Sequence, residues 1–169
     1  INNRHEYIKI IEKTILENSS NIIALGECGI DRHYNLDNIP QEIELFQLQL
    51  ELAKKLNLSV IVHSREDFES TYESIKEVDY NKGVIHCYSY GIEEAKKFLD
   101  RGWYISFSGS CTYAKKTKME QMQDLIRYIP QDMLLLETDA PYLAPVPLRG
   151  QTNTPLLIEH IYKFVSEIL

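Results

Sequence analysis

The sequence has few of the features that mark collagen-like, disordered or membrane-spanning proteins. Glycine and proline are sparse, at 7 and 6 of 169 residues, and no repeat or low-complexity tract stands out. This composition is typical of a globular domain rather than of a collagen-like or disordered chain. No apolar run approaches the roughly 20 residues that a membrane-spanning helix needs. We therefore expect one soluble domain that does not enter a membrane.

Cysteine is also scarce, and basic residues are fewer than acidic ones. Cys28, Cys87 and Cys111 are odd in number and lack the paired spacing of a zinc ribbon. We therefore expect reduced thiols in a cytoplasmic protein. The formal net charge of −7 argues against a surface that binds nucleic acid by neutralising phosphates alone. It leaves room for an enzyme that meets phosphates through bound cations.

Short apolar runs alternate with amphipathic helical patterns along the chain. The first helical pattern places an apolar stripe on Tyr7, Ile8, Ile10, Ile11, Ile15 and Leu16. The runs that indicate strands cover residues 22–31, 59–65, 84–88, 103–108 and 133–136. This alternation predicts an α/β fold with a parallel sheet and right-handed crossovers. Periodicity alone leaves open whether the sheet is open or closes into a barrel.

The stretch from residue 133 to residue 142 carries the densest chemical pattern. Four apolar residues precede Glu137 and Asp139, and Pro141 then prevents further strand pairing. The pattern predicts a buried strand that delivers carboxylates at its C-terminal end, where a parallel sheet carries its chemistry. A strand that merely ends in polar residues would have the same pattern.

Three earlier strand-like runs end in comparable residues, namely Glu27, His63 and His86. The C-terminal ends of parallel strands lie along one face, so these residues and Asp139 are candidates to converge. Two imidazoles and two carboxylates suit Zn²⁺ or Mn²⁺ and, with more carboxylate and water, Mg²⁺. A pair of such cations can activate water and stabilise the leaving oxygen of a phosphodiester. The alternative is that each histidine is an ordinary core residue.

Other catalytic chemistries fit the sequence poorly. There is no Gly-x-Ser-x-Gly motif, and Ser64 follows His63 without a recognisable triad order. Cys87 and His86 are neighbours on the predicted strand 84–88, which directs their side chains to opposite faces. We therefore expect no catalytic pair of cysteine and histidine.

Several motifs, taken together and in order, resemble those of the TatD family of metal-dependent deoxyribonucleases. They are Gly26-Glu27-Cys28-Gly29-Ile30-Asp31, Val62-His63-Ser64-Arg65, Gly83-Val84-Ile85-His86-Cys87-Tyr88 and Leu136-Glu137-Thr138-Asp139-Ala140-Pro141-Tyr142-Leu143, followed by Arg149-Gly150 and Asn153-x-Pro155. The resemblance covers essentially the whole chain. It implies a TIM-type (β/α) barrel of the amidohydrolase kind, here with about five of the eight βα units. It also implies hydrolysis of DNA with two divalent metal ions (Mg²⁺, Mn²⁺ or Zn²⁺), often as a 3′ to 5′ exonuclease.

The same resemblance implies roles for individual residues. Glu27 would bridge the two metal ions, and His63 and His86 would complete one site. Asp139 would hold the other ion and orient or deprotonate the water, which makes Asp139 and Glu27 the expected catalytic residues. Three further residues would lie near the mouth of the site and contact the substrate, which is DNA or, as the alternative, RNA: Arg65, Arg149 and Asn153.

Two departures from the family pattern concern the whole protein. The His-x-His pair of the family's first strand has no counterpart here, and the next two strands have none either. We therefore expect residues 1–169 to form a single hydrolase domain that is incomplete at its N terminus, and we expect the complete protein to be a monomer. Two other functions stay open: a hydrolase of an amide, ester or lactone from the same superfamily, and an inactive, truncated binding module.

Overall fold

Helices and strands alternate along the residues that the computed structural model describes, 3–33 and 37–169. The helices are α1 (Arg4–Glu17), α2 (Ile39–Leu56), α3 (Phe68–Val78), α4 (Ile92–Leu99), α5 (Lys116–Tyr128) and α6 (Ile158–Ser166). The strands are β1 (Ala24–Asp31), β2 (Ser59–Arg65), β3 (Gly83–Ile85), β4 (Tyr104–Phe107) and β5 (Leu134–Leu136). The β1–β2 and β4–β5 pairs are parallel. The predicted α/β fold is confirmed.

The chain divides into two compact units, Ile1–Val84 and Ile85–Leu169. In the first unit, α2 packs on α1, α3 and β1, around the fully buried side chains of Ile30, Phe46 and Ile75. Local sequence sets the ends of these helices. Pro40 lies in the first turn of α2, where the missing N–H of proline costs nothing. The side chain of Asp67 caps α3 by accepting the N–H of Ser70 at 3.1 Å.

The second unit has its own core, to which α4, α6, β4 and β5 contribute. Phe98, Trp103 and Ile161 are fully buried there, and α4 packs on β4 while α6 packs on β5. Each unit therefore buries apolar faces of its helices against strands. The single domain expected from the sequence stays a prediction. Among the described residues, no helix combines the length and the apolar composition that crossing a membrane requires.

The first strand pair has an irregular register that bears on Glu27. Gly26 and Glu27 together lie opposite the single residue Ile61 of β2, which is the geometry of a β-bulge. Bulges turn side chains away from the regular alternation of a strand, and Glu27 is exposed here. Glycine is required at residue 26, because an added Cβ there would lie 2.7 Å from Cβ of Ile61.

Two predicted strands differ from the observed ones. The strand predicted at residues 84–88 ends at Ile85, and His86 and Cys87 lie in a turn in which Cys87 has φ 45°. His86 and Cys87 do not lie on a strand, so the expectation that a strand directs their side chains to opposite faces is wrong. The strand predicted as buried at 133–136 is only partly buried, since Leu135 is 44% exposed.

The first helix is present, but its apolar stripe is not buried as a whole. Ile15 is buried, whereas Tyr7, Ile10 and Leu16 are each more than half exposed. Helical periodicity predicts that a helix is amphipathic. It does not say which neighbouring element covers the apolar face.

Gly29 is expected to be essential for the pairing of β1 and β2. It has φ 145°, and a Cβ at this residue would lie 1.8 Å from the carbonyl oxygen of His63. Gly29→Ala must therefore push the two strands apart, and we expect it to lower the free energy of unfolding by more than about 4 kcal/mol. Urea denaturation measures the loss.

Gly102→Ala is the matched control, because Gly102 also has a left-handed backbone, with φ 85°, but has nothing within 4 Å of the added Cβ. We expect it to cost only about 1–2 kcal/mol, the usual cost of a left-handed conformation. Equal losses in the two variants would contradict a role for the close approach.

Candidate metal centre

His63 lies between two carboxylates in the first unit. Its Nδ1 atom is 2.9 Å from Oε1 of Glu27, and its Nε2 atom is 2.9 Å from Oδ2 of Asp31. A neutral imidazole carries one N–H and one lone pair. A proton on Nε2, donated to Asp31, leaves the lone pair of Nδ1 on the side of Glu27. A carboxylate that holds the second ring nitrogen is the usual companion of a metal-binding histidine.

Asp31 is well suited to accept this hydrogen bond. Burial acts to raise the pKa of its carboxyl, but the backbone N–H of His33, at 2.7 Å, and the side chain of His63 outweigh that effect and lower the pKa below its usual value. Sequence reasoning quoted Asp31 as part of a motif but gave it no role. Its place at the end of β1, directly opposite Arg65 at the end of β2, could have indicated a role at the site.

Arg65, which the sequence assigns to substrate contact, is half-buried at the end of β2. Its positive charge contributes to the lowered pKa of Asp31. Arg65 therefore takes part in the electrostatics around His63. Its contact with substrate stays a prediction.

His86 directly follows β3 in the second unit and is buried there. Its Nδ1 atom is 3.2 Å from Oε1 of Glu137. The same oxygen accepts the backbone N–H of Cys87 at 2.7 Å, and Oε2 of Glu137 accepts the hydroxyl of Ser106 at 2.8 Å. Glu137 is therefore held by three groups, one of which is a candidate metal ligand.

The environment of Glu137 favours its ionised form. Burial acts to raise the pKa of this carboxyl, but the hydrogen bonds from His86, Ser106 and Cys87 and the charge of His86 outweigh it, so that the pKa is lowered. Sequence reasoning recognised Glu137 as a carboxylate at a strand end and gave it no role. Its partner His86 is 51 residues away in sequence, and no local pattern indicates that contact.

Asp139 lies in the loop after β5, half-buried and with φ 57°. Burial raises the pKa of the Cys87 thiol, and the negative charges of Asp139 and Glu137 add to this. Cys87 is therefore a neutral thiol, with its Sγ atom 3.0 Å from Oγ of Ser108. This agrees with the expectation that Cys87 is not a nucleophile, although the reason differs from the predicted one.

The other two cysteines are buried, and all three are free thiols. Burial raises the pKa of Cys28 and of Cys111 to about 12. Both are core residues.

Asn153 is buried and braces the loop that carries Asp139. Its side-chain amide donates to the carbonyl oxygens of Thr138 and Tyr142, at 2.6 and 2.5 Å, and its backbone N–H donates to the carbonyl of Pro141 at 3.0 Å. Asn153 therefore supports the loop that carries Asp139. Its predicted contact with substrate is not tested by this geometry.

Arg149, the remaining predicted substrate contact, is exposed. Its guanidinium carbon lies 4.3 Å from the centre of the Tyr113 ring, within the range of a cation–π interaction. The hydroxyl of Tyr113 in turn donates to the carbonyl of Ala144 at 2.6 Å. Stacking on Tyr113 orients Arg149, whose contact with substrate also stays a prediction.

The first unit brings the carboxylate of Glu27 to His63, and the second unit brings the carboxylate of Glu137 to His86. Carboxylate oxygens and imidazole nitrogens are ordinary ligands of Zn²⁺ and Mn²⁺. The carboxylates beside both histidines also match what metal-binding imidazoles require around them. The residues present therefore fit a divalent cation.

Comparison with known proteins agrees with this chemistry. Residues 2–169 match the family model described as TatD related DNase. The chain is 40% identical over 147 residues to YcfH of Escherichia coli (strain K12), described as an uncharacterized metal-dependent hydrolase, a match that covers 86% of this chain and 54% of YcfH. It is 35% identical over 153 residues to YabD of Bacillus subtilis (strain 168), which carries the same description, covering 87% of this chain and 57% of YabD. The chain belongs to the TatD family.

Solved structures agree with this assignment. The structure of YJJV, a TatD homologue from Escherichia coli K12, superposes with a TM-score of 0.85 and 29% identity and covers 95% of this chain and 61% of that one. A TatD family hydrolase from Entamoeba histolytica has a TM-score of 0.83 at 22% identity, over 98% of this chain and 64% of that one, and shows the fold alone. The predicted TIM-type architecture is confirmed. The chain spans about half the length of the curated relatives it matches.

The contacts of Glu137 predict how stability changes with pH. Because the folded chain favours the ionised carboxylate, these contacts stabilise the fold above the ordinary carboxyl pKa and are lost as the pH falls through the lower folded pKa. Urea unfolding between about pH 6 and about pH 3 should show a shallower loss of stability in Glu137→Gln than in the unaltered protein. We expect a difference on the order of 1 kcal/mol, because burial offsets part of the roughly 1.5–3 kcal/mol that a hydrogen bond to a charged group contributes.

Glu159→Gln is the control for this experiment, because the side chain of Glu159 is 77% exposed. It should lose stability with falling pH as the unaltered protein does. An identical acid-side loss in Glu137→Gln would show that the three hydrogen bonds do not favour the ionised carboxylate.

Proposed function

We propose that the complete protein hydrolyses phosphodiester bonds of DNA with the help of divalent metal ions. The observation that carries this proposal is that both histidines of the TatD-like motifs have carboxylate partners. His63 contacts Glu27 and Asp31, and His86 contacts Glu137. Membership of a family described as TatD related DNase supports DNA as the substrate.

The proposed metal ligands are the four residues expected from the sequence: Glu27, His63, His86 and Asp139. We propose that these residues would hold two ions, Mg²⁺, Mn²⁺ or Zn²⁺, with Glu27 as the ligand that both would share. Divalent ions held there would supply the Lewis acidity and charge neutralisation that phosphodiester hydrolysis needs. The histidines then act as neutral ligands, and each needs its second ring nitrogen held by a hydrogen-bond acceptor.

Asp139 is the proposed general base. Its carboxylate orients the attacking water and accepts a proton from it, a role that requires the ionised form. The amide of Asn153 supports this step indirectly, because it ties down the carbonyls of Thr138 and Tyr142 on either side of Asp139. A fixed loop keeps the base in a productive orientation.

Positive charge near the site assists binding of the DNA backbone. The residues of this chain carry a formal net charge of −7, and a negative field repels DNA. Local cations have to offset that repulsion, and we assign this to the bound metal ions together with Arg65 and Arg149. RNA presents the same phosphate chemistry and is the alternative substrate.

Asp139→Asn tests the proposed base. An amide cannot accept the proton, so release of nucleotides from labelled DNA should fall by about 100-fold or more in the complete protein loaded with Mg²⁺ or Mn²⁺. Asp132→Asn is the matched control, because Asp132 is exposed in a short 3₁₀ turn before β5 and should leave the rate unchanged.

Three outcomes would count against the proposal. Full activity in Asp139→Asn would remove Asp139 from the chemistry. A metal-loaded protein that leaves DNA intact but cleaves an amide, ester or lactone would favour the other hydrolase function. An intact, folded protein that binds no metal ion would favour a binding module.

The direction of digestion is a separate prediction. We propose 3′ to 5′ exonuclease activity, so a single-stranded oligonucleotide with phosphorothioate linkages at its 3′ end should resist digestion. The same modification at the 5′ end should leave the initial rate unchanged. The reverse pattern would establish the opposite polarity, and cutting of circular DNA would establish an endonuclease.

A further inference from the structure

Three groups converge on the carboxylate of Glu137. Its Oε1 atom accepts the Cys87 N–H at 2.7 Å and lies 3.2 Å from Nδ1 of His86, while Oε2 accepts the Ser106 hydroxyl at 2.8 Å. Ser106 lies on β4, and its paired residue Leu135 lies on β5, two residues before Glu137. The carboxylate is therefore fixed at both oxygens by groups on the sheet and on the turn after β3.

We propose that Glu137 is a positioning residue that holds His86 in the tautomer with the proton on Nδ1, which directs the lone pair of Nε2 to the metal ion. The assignment of Nε2 as a ligand rests on the proposed function. The hydrogen bond between His86 and Glu137 does not rest on it, so the two can fail separately.

The direction of the hydrogen bond follows from the other contacts of Glu137. Its Oε1 atom already accepts the N–H of Cys87, and an ionised carboxylate has no proton to donate. The proton shared with His86 must therefore sit on Nδ1. The side chain of His86 is only 8% exposed, so bulk water is a poor substitute for this partner.

The geometry also limits how His86 can turn. A flip of the ring would exchange Nδ1 for a carbon atom opposite Oε1 and would leave a partly buried carboxylate oxygen with one partner fewer, which costs free energy. Cys87 adds a constraint because its own N–H binds the same oxygen, which couples the backbone after His86 to Glu137. Glu137 thus fixes both the tautomer and the orientation of the ring.

The first measurement is the tautomer of His86 in the metal-stripped, complete protein. Nitrogen chemical shifts of the assigned His86 ring distinguish a proton on Nδ1 from one on Nε2. We expect Nδ1–H in the unaltered protein and in Glu137→Gln, whose amide oxygen can still accept it. We expect Nε2–H in Glu137→Ala, since an imidazole without an acceptor at Nδ1 favours that form.

The second measurement is the affinity for Zn²⁺ alone, by titration calorimetry. Glu137→Ala should bind the ion that contacts His86 about 10- to 100-fold more weakly, as is usual when the hydrogen-bond partner of a metal-binding histidine is removed. Glu137→Gln should restore most of the affinity. Glu94→Ala is the control, because Glu94 accepts the Gly91 N–H at 3.1 Å in the same unit, and its affinity should match that of the unaltered protein.

Each result decides one of the two proposals. An Nε2–H tautomer in the unaltered protein, or an unchanged tautomer and affinity in Glu137→Ala, would overturn the role of Glu137. A tautomer that depends on Glu137 in a protein that binds no Zn²⁺ would support the assigned hydrogen bond and overturn the metal centre. If Glu137→Ala does not fold, the role of Glu137 is tested by the tautomer of His86 in the unaltered protein and by the Zn²⁺ affinity of Glu137→Gln.

Discussion

An imidazole that serves as a metal ligand has to bind through one nitrogen while its other nitrogen keeps a hydrogen-bond partner. The two candidate histidines meet this requirement in opposite ways. His63 has a carboxylate, Asp31, at Nε2, whereas His86 has a carboxylate, Glu137, at Nδ1. Both partners come from strand ends, so the sheet sets which nitrogen each histidine presents. The rest of the candidate site depends on this constraint, because a wrong tautomer would replace a lone pair with a proton.

The close approach of β1 and β2 makes the contact between His63 and Asp31 possible. Gly29 lies directly opposite His63, with no room for a side chain between them. The bulge at Gly26 and Glu27 then returns the carboxylate of Glu27 to the side of the His63 ring, at 2.9 Å from Nδ1. Glycines and irregular pairing are costly within a regular strand. Here they are the local means by which a strand presents two carboxylates to one imidazole.

The sequence predicts the fold well where local patterns suffice. The strand expected at 59–65 has those bounds in the structure, because the consecutive β-branched residues Val60, Ile61 and Val62 define it. The strand expected at 84–88 stops at Ile85, because the left-handed backbone of Cys87 has no signature in hydrophobic periodicity. The ligand candidates came from motifs, but their partners Asp31 and Glu137 received no role. Those partners lie 32 and 51 residues from their histidines, so only the register of the sheet identifies them.

The charge balance within each unit argues for cations independently of any motif. In the first unit Glu27 and Asp31 flank His63, and in the second the charges of Glu137 and Asp139 both act on Cys87. His63 lies between Glu27 and Asp31, and His86 contacts Glu137. Each histidine supplies at most one positive charge and supplies none when it acts as a ligand. Like charges close together disfavour ionisation of both groups, yet the pKa values of Asp31 and Glu137 are lowered through their hydrogen bonds. The chain thus keeps negative charge at both histidines, and a divalent cation is the group that such charge fits best.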